Sequence, residues 1–333
     1  MKATFWGVRG SLPTPLTTND YHRKLARILA AARGADLTTP AAIGMFCEAL
    51  PPELRRVVGG NTACVEINGG PGSSGTMILD AGSGIRPLGH DLLARAKADP
   101  SFERTVHVLI SHTHWDHICG FPFFLPLYDE SWDIHIWGAH PDMEERMRSQ
   151  HHPNHFPVPF EHYQPRTHVH QLEVGQPTEV GGLTVIPGLL EHPGDCYSYR
   201  ISQSAEAGGG VLVYGTDGSY RDNEKLDTLL DSGFWHGADA LIFDAMFTWE
   251  ESLRKPEWGH STARVGIDLC VETGVKQLIL FHHDPDNDDL TLYRILREAE
   301  EYVAQKQPAA QGRLLVDLAC EGWSFSVPAA AAH

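Results

Sequence analysis

Hydrophobic and polar positions along the chain fall into short apolar runs separated by turn clusters and by a few stretches of helical period. Ala3 to Val8 is a first strand. Residues 16–58 change period: Leu25, Ile28, Leu29 and Ala32 recur at helical spacing, with Asn19 or Asp20 as N-cap and Gly34 as the stop. A weaker helical stretch follows from Pro40 to Leu50, and the whole segment reads as a surface insertion packed on a sheet. Cys64–Ile67 and Thr76–Leu79 flank a Gly/Pro/Ser cluster and predict a hairpin. Leu88–Ala98 is a helix, and Val106–Ile110 and Ile134–Trp137 are buried strands. Further strands are predicted at Leu183–Ile186, Val211–Tyr214, Ala240–Phe243 and Gln277–Leu280, with two more near Leu314–Leu318 and Trp323–Val327. Helices precede and follow the strand at 277, the first capped by Ser261 or Thr262 and the second running from Leu290 to Ala304. Strands and helices thus alternate in two halves.

Polar groups cluster where apolar runs stop. Five strands end and a His or Asp follows at once: His112, His192, Asp217, Asp244 and His282. Strand ends on one rim of a sheet converge in space, so the five favour a shared site. The densest stretch is Ser111-His112-Thr113-His114-Trp115-Asp116-His117, on the tight loop after Val106–Ile110. Imidazoles with a carboxylate are the donor set a borderline-soft divalent ion prefers. Alternate side chains of so short a loop diverge, which favours two nearby ions, His112 and His114 on one and Asp116 and His117 on the other.

Composition narrows the partners. With 333 residues, 42% hydrophobic, and no linker or charge block, one domain over 1–333 with insertions is expected. The net charge of −17 and the absence of a Lys/Arg cluster disfavour a nucleic-acid backbone and leave a small anionic substrate open. Six scattered cysteines without a C-x-x-C pair point to reduced thiols. No signal-peptide core or membrane-length apolar run is visible, so the expected location is the cytoplasm, with no membrane partner. Residues 150–170 hold His151, His152, His155, His162, His168 and His170 among Pro153, Pro157, Pro159 and Pro165. The prolines break regular ligand spacing, so the segment is expected to be a lid-like loop, with Phe156, Phe160 and Tyr163 walling a substrate pocket.

The order strand, H-x-H-x-D-H, later His, later Asp, later His resembles the metallo-β-lactamase superfamily along most of the chain. Gly259-His260-Ser261-Thr262-Ala263 is similar to the H-S-T segment of its ribonuclease Z and cyclic-phosphodiesterase branch. Gly7-Val8-Arg9-Gly10-Ser11, Gly59-Gly60-Asn61-Thr62 and Asp80-Ala81-Gly82-Ser83-Gly84 resemble bacterial hydrolases of the phosphonate-operon phosphodiesterase type. The resemblance implies a four-layer αββα sandwich of the α/β class with a two-metal site at one edge. It implies that His112, His114 and His192 hold one ion, that Asp116, His117 and His282 hold the other, and that Asp217 bridges. His282 is chosen over His283 for its place just after the strand. His260 would be a catalytic histidine, acting as general acid, and Asp116 would orient the nucleophile while ligating. The ions would be divalent, zinc first, manganese or iron as alternatives.

The function implied is hydrolysis of a small or cyclic phosphodiester by a metal-bridging hydroxide, by a chain that the family suggests is a homodimer. An RNA 3′-processing nuclease, a lactonase or β-lactamase-type hydrolase, and a non-catalytic metal-bound sensor are the other readings. The basic, Gly/Pro-rich arm that grips tRNA in ribonuclease Z is not seen.

Overall fold

The computed structural model describes residues 1–70, 72–163, 166–220, 224–254, 258–306 and 314–328. Two seven-stranded sheets lie face to face. The first holds β1 (Lys2–Gly7), β2 (Cys64–Asn68), β3 (Thr76–Leu79), β4 (Thr105–Leu109), β5 (Asp133–Gly138), β6 (Thr167–Gln171) and, beside β1, β14 (Ser324–Ser326). The second holds β7 (Thr178–Val180), β8 (Leu183–Leu190), β9 (Cys196–Ser202), β10 (Val211–Gly215), β11 (Ala240–Asp244), β12 (Gln277–Phe281) and β13 (Leu315–Leu318). Each sheet is antiparallel on one side and parallel on the other: β3 to β6 run parallel in the first, β10 to β13 in the second.

Strand alternation divides the core in two. Val106, Val108, Ile134 and Ile136 face outward onto α4 (Ile85–Ala98) and α6 (Met143–Ser149), where they meet Ile85, Leu88, Leu92, Met143 and Met147. Leu79, Leu109, Tyr199, Val213 and Ile279 belong to the larger core, which takes in α7 (Glu224–Asp231), α9 (Ala263–Thr273) and α10 (Asp289–Lys306) through Leu229, Ile267 and Leu292. The layers are therefore helix, sheet, sheet, helix.

Several elements differ from the sequence expectation. β6, β7, β9, α6 and α7 appear where none was predicted, as do the short α5 (Trp115–Ile118) and α8 (Trp249–Arg254). β9 escapes a hydropathy reading because Ser198, on its helix-facing side, is fully buried, donating to the Tyr214 carbonyl at 2.8 Å. The helix in the insertion is α1 (Thr18–Ala31); its N-cap is Thr17, and Asp20 is instead the third helical residue that closes a capping box. In α1, α2 (Pro40–Ala49) and α3 (Pro52–Arg55) no residue is buried, so the insertion does not bury a face on the sheet as expected. α3 leans on α10, and a 2.7 Å ion pair from Lys24 to Asp289 ties α1 to the same helix.

Within 150–170 the chain turns as far as Tyr163 and then enters β6, so His168 and His170 stand on an edge strand and not in a loop. Phe160 and Tyr163 are core residues rather than pocket walls, with His151 buried against the Tyr163 hydroxyl. Pro165 lies outside the described residues. No helix among the described residues is long and apolar enough to cross a membrane.

Candidate metal centre

The parallel strands of both sheets deliver their C-terminal ends to one edge of the sandwich, and the residues that follow them meet there. Asp80 follows β3, His112 follows β4, Asp217 follows β10, Asp244 ends β11 and His282 follows β12. Asp80, Asp217 and His282 have φ of 60°, 31° and 57°. A left-handed non-glycine residue is strained by about 1–3 kcal/mol and persists only where its surroundings enforce it. Here it turns the chain sharply out of the strand and sends the side chain into the cluster.

His112, His114 and His192 form one group, in which His114 Nδ1 lies 3.0 Å from His112 Nε2 and 3.1 Å from His192 Nε2. Asp116, His117, Asp217 and His282 form a second. In it His117 Nε2 stands 3.2 Å from His282 Nε2, 3.3 Å from Asp116 Oδ2 and 3.2 Å from Asp217 Oδ1. Asp217 serves both groups. Its Oδ1 also lies 3.2 Å from His282 Nε2, while Oδ2 sits 3.7 Å and 3.8 Å from the Nε2 atoms of His112 and His192. The structure thus assembles all seven side chains that the resemblance names as ligands. His283 turns away, its Nε2 donating to the Ala319 carbonyl at 2.9 Å.

The hydrogen bonds behind the cluster decide which ring nitrogens carry protons. Asp80, fully buried, accepts from His117 Nδ1 at 2.7 Å, from the Ser111 amide and hydroxyl at 2.7 and 2.8 Å, and from the Tyr214 hydroxyl at 2.7 Å. The committed Ser111 hydroxyl can then only accept from His112 Nδ1, 3.1 Å away. His192 Nδ1 donates to the Gly259 carbonyl at 2.9 Å. With their Nδ1 atoms so engaged, neutral His112, His117 and His192 direct Nε2 lone pairs inward. They converge there with His114 Nδ1, His282 Nε2 and the inward carboxylate oxygens, the candidate ligand atoms of each group lying within 4.8 Å of one another. That donor set, imidazole lone pairs with two inward carboxylates, fits divalent metal ions. One atom fits less well: His282 Nδ1 is buried without a hydrogen-bond partner, with Asp244 Oδ1 3.9 Å away.

The carboxylates also act on the rings through their charge. Burial drives His112 well below the usual imidazole range, helped by His117. Burial opposes charge on His117 too, but Asp217, Asp116 and Asp80 outweigh it and raise that ring well above the usual imidazole range. The carboxylates collect positive charge where cations would sit.

His260 belongs to the same edge. Its Nδ1 donates to Asp244 Oδ2 at 2.8 Å, its ring centroid lies 5.1 Å from that of His282 and 5.5 Å from that of His192, and Nδ1 is 3.9 Å from Asp217 Oδ2. Burial works against its charge, yet the Asp244 carboxylate prevails and pushes its pKa up to about 9. Two backbones come close: a Cβ on Gly10 would stand 2.4 Å from His282 Cε1, and the Ser11 amide donates to Asp116 Oδ2 at 2.7 Å. The cluster opens to solvent at His114, its exposed member.

Asp80 is the residue the sequence reading passed over. The signal was present, because Asp80 follows the apolar run Thr76–Leu79 as the other five follow theirs. Asp244, read there only as a strand-end carboxylate, is the partner of His260.

Comparisons with known proteins agree with this architecture. The described fold is shared with the metallo-β-lactamase fold protein YhfI of Bacillus subtilis, at a TM-score of 0.60 and 18% identity over 97% of this chain and 98% of that one. It is shared too with a diphosphatase of the PhnP family, at a TM-score of 0.53, 18% identity and 99% coverage of both chains. In sequence the chain is 25% identical to the ribonuclease Z of Rippkaea orientalis over 272 residues, 68% of this chain and 83% of that protein. Residues 76–283, more than half of the chain, match the Beta-lactamase superfamily domain, and the chain belongs to that superfamily.

Proposed function

We propose that this chain is a metal-dependent phosphodiesterase acting on a small or cyclic phosphodiester. The observation that carries the reading is the His260–Asp244 pair beside the seven-residue cluster: a largely buried imidazole whose Nδ1 is held by a carboxylate next to a group of inward histidine and aspartate ligand atoms. His112, His114 and His192 would hold one divalent ion, Asp116, His117 and His282 a second, with one oxygen of Asp217 toward each. Zinc suits the donors best, with manganese or iron as alternatives. Such ions supply Lewis acidity and bring the pKa of a water molecule from ~15.7 toward ~7.

The protein's own groups do the rest. Asp116, fixed by the Ser11 amide, orients the attacking water. Asp244 keeps His260 protonated, so His260 can neutralise a phosphoryl oxygen or give its proton to the departing alkoxide. After turnover Asp244 favours reprotonation of the ring. An acid placed for an alkoxide leaving group supports phosphodiester over β-lactam chemistry, and the ribonuclease Z relative cleaves in the same bond class. The charge of −17 supports a small substrate over RNA. The same reading takes 1–333 as one domain of a cytoplasmic homodimer, with 16–58 as its insertion and 150–163 bordering the substrate's approach.

The test is turnover of bis(p-nitrophenyl) phosphate, a cyclic mononucleotide, pre-tRNA and nitrocefin by the zinc- or manganese-loaded protein and by His260→Ala. Bis(p-nitrophenyl) phosphate and the cyclic mononucleotide should be cleaved in preference to pre-tRNA, and His260→Ala should keep its metals while losing roughly 10²–10⁴ in kcat. Wild-type kcat in that variant would remove the acid role, and preference for nitrocefin would overturn the substrate class.

A further inference from the structure

A second set of histidines lies on the face of the first sheet that looks toward the second. Along β4, β5 and β6 the register pairs His107 with His135 and His135 with His168, and Trp137 with His170. Val106, Val108, Ile134 and Ile136 pack outward in the helix-side core, so strand alternation turns the histidines the other way. None of them belongs to the cluster at the strand ends.

The ring of His135 stands 5.1 Å, centroid to centroid, from each of His107, His168 and His170. The contact that matters is between nitrogens: His135 Nδ1 and His170 Nε2 are 2.9 Å apart. His135 Nε2 is engaged by Asp133 Oδ2 at 3.3 Å, and the other oxygen of Asp133 accepts from His168 Nε2 at 3.0 Å. A carboxylate on the far nitrogen fixes the tautomer and turns the Nδ1 lone pair toward His170, which is how metal-ligating histidines are commonly oriented from behind. Trp137 stacks on the His170 ring at 4.0 Å and holds it in place. The same indole donates its N–H to His107 Nδ1 at 3.3 Å, leaving His107 its proton on Nε2. That atom is buried and unpartnered, so His107 walls the group without offering it a lone pair.

We infer that His135 Nδ1 and His170 Nε2 form a second metal site, for a late divalent transition ion of tetragonal preference such as Ni²⁺ or Cu²⁺. Two nitrogens 2.9 Å apart subtend roughly 90° at an ion with bonds of ~2.0–2.1 Å. That angle suits a square-planar or octahedral ion better than tetrahedral zinc. The hydrogen now shared by the two nitrogens moves to Nδ1 of His170 when the ion binds. Asp133 stays as the orienting carboxylate, and the half-exposed His168 stands at the rim. An ion there clips the edge strand β6 to β5, and it neither needs nor touches the residues proposed for hydrolysis.

The experiment is a calorimetric titration of NiCl₂ into the zinc-loaded protein, with released zinc monitored. The wild type should take one further equivalent without releasing zinc. His135→Ala and His170→Ala should lose it, Asp133→Asn should bind roughly 10–100-fold more weakly, and His155→Ala should bind as the wild type does. A second measurement needs no variant: Ni²⁺ should protect His135 and His170 of the wild type from diethyl pyrocarbonate, read by peptide mass spectrometry. No extra equivalent, an equivalent undiminished in the His135 or His170 variants, or no protection of these two residues would each overturn the assignment.

Discussion

Replacing Asp80 by asparagine tests whether the metal centre is set from behind. One carboxylate receives four donors: the His117 ring, the Ser111 amide and hydroxyl, and the Tyr214 hydroxyl. Asparagine keeps the volume but offers one acceptor oxygen and a pair of N–H donors. In either flip at least one of the four donors faces an N–H, a loss of about 1–3 kcal/mol in a buried site. The larger consequence falls on the metals. Without the carboxylate, His117 has less reason to keep its proton on Nδ1 and present Nε2, and His112 loses the same guidance through Ser111. Loss of such a partner typically weakens metal binding about 10–100-fold, equivalent to ~1.4–2.8 kcal/mol. Tyr214→Phe is the control: it removes one donor and leaves the other three, so it should cost about 1 kcal/mol of stability and no metal affinity. Chelator competition followed by elemental analysis reads affinity and stoichiometry, and urea unfolding of the stripped chains reads stability. If Asp80→Asn bound both ions as the wild type does, the tautomer argument would be wrong, however much stability it lost.

Other outcomes follow from single contacts. Gly10→Ala would push a methyl group against the His282 ring, so metal content should fall while secondary structure by circular dichroism is retained. Activity of the loaded enzyme should decline at high pH as His260 loses its proton, and that basic limb should be missing from the residual pH–rate profile of His260→Ala. His107 is pushed down to about 4 by burial first and by His135 next. Its folded form therefore favours the neutral ring, a contribution complete above the unfolded pKa of ~6.5 and lost as pH falls toward 4. His107→Leu should accordingly lose about 2 kcal/mol less than the wild type between pH 7.5 and 4.5 in denaturant titrations. Thr17→Ala should fray α1, seen as faster amide exchange there, with little change in global unfolding because that helix buries no residue.

The strands that carry the site were legible because each is a continuous apolar run with a polar residue immediately after it. The 112–117 loop, His192, Asp217, Asp244 and His282 could all be read that way, and the structure brings them to one edge. What hid the remaining elements was local. β7 has only three residues, β9 buries a serine, and β6 carries histidines at the inward positions where a strand is expected to be apolar. The insertion was misjudged for the opposite reason: α1 has a clear apolar periodicity, yet Leu29 is 61% exposed. Periodicity states which face could be buried and not whether anything covers it.

Asp80 shows why a strand-end rule works here and where it needs a second condition. A residue that merely follows a strand can point anywhere. Asp80, Asp217 and His282 point into one volume because each adopts a left-handed backbone, which reverses the chain within a residue of the ladder's end. Aspartate and histidine tolerate that conformation better than most side chains, and His282 also packs closely against Gly10. Glycine would relieve the strain but would provide no ligand or anchor, and a β-branched residue would deepen it. The requirement for both a donor atom and a tolerated positive φ leaves few residue types, which is why Asp and His recur at these ends. The strain and the donor set are thus two aspects of one constraint: the metal centre is built where the sheets stop, by residues that must leave the ladder abruptly.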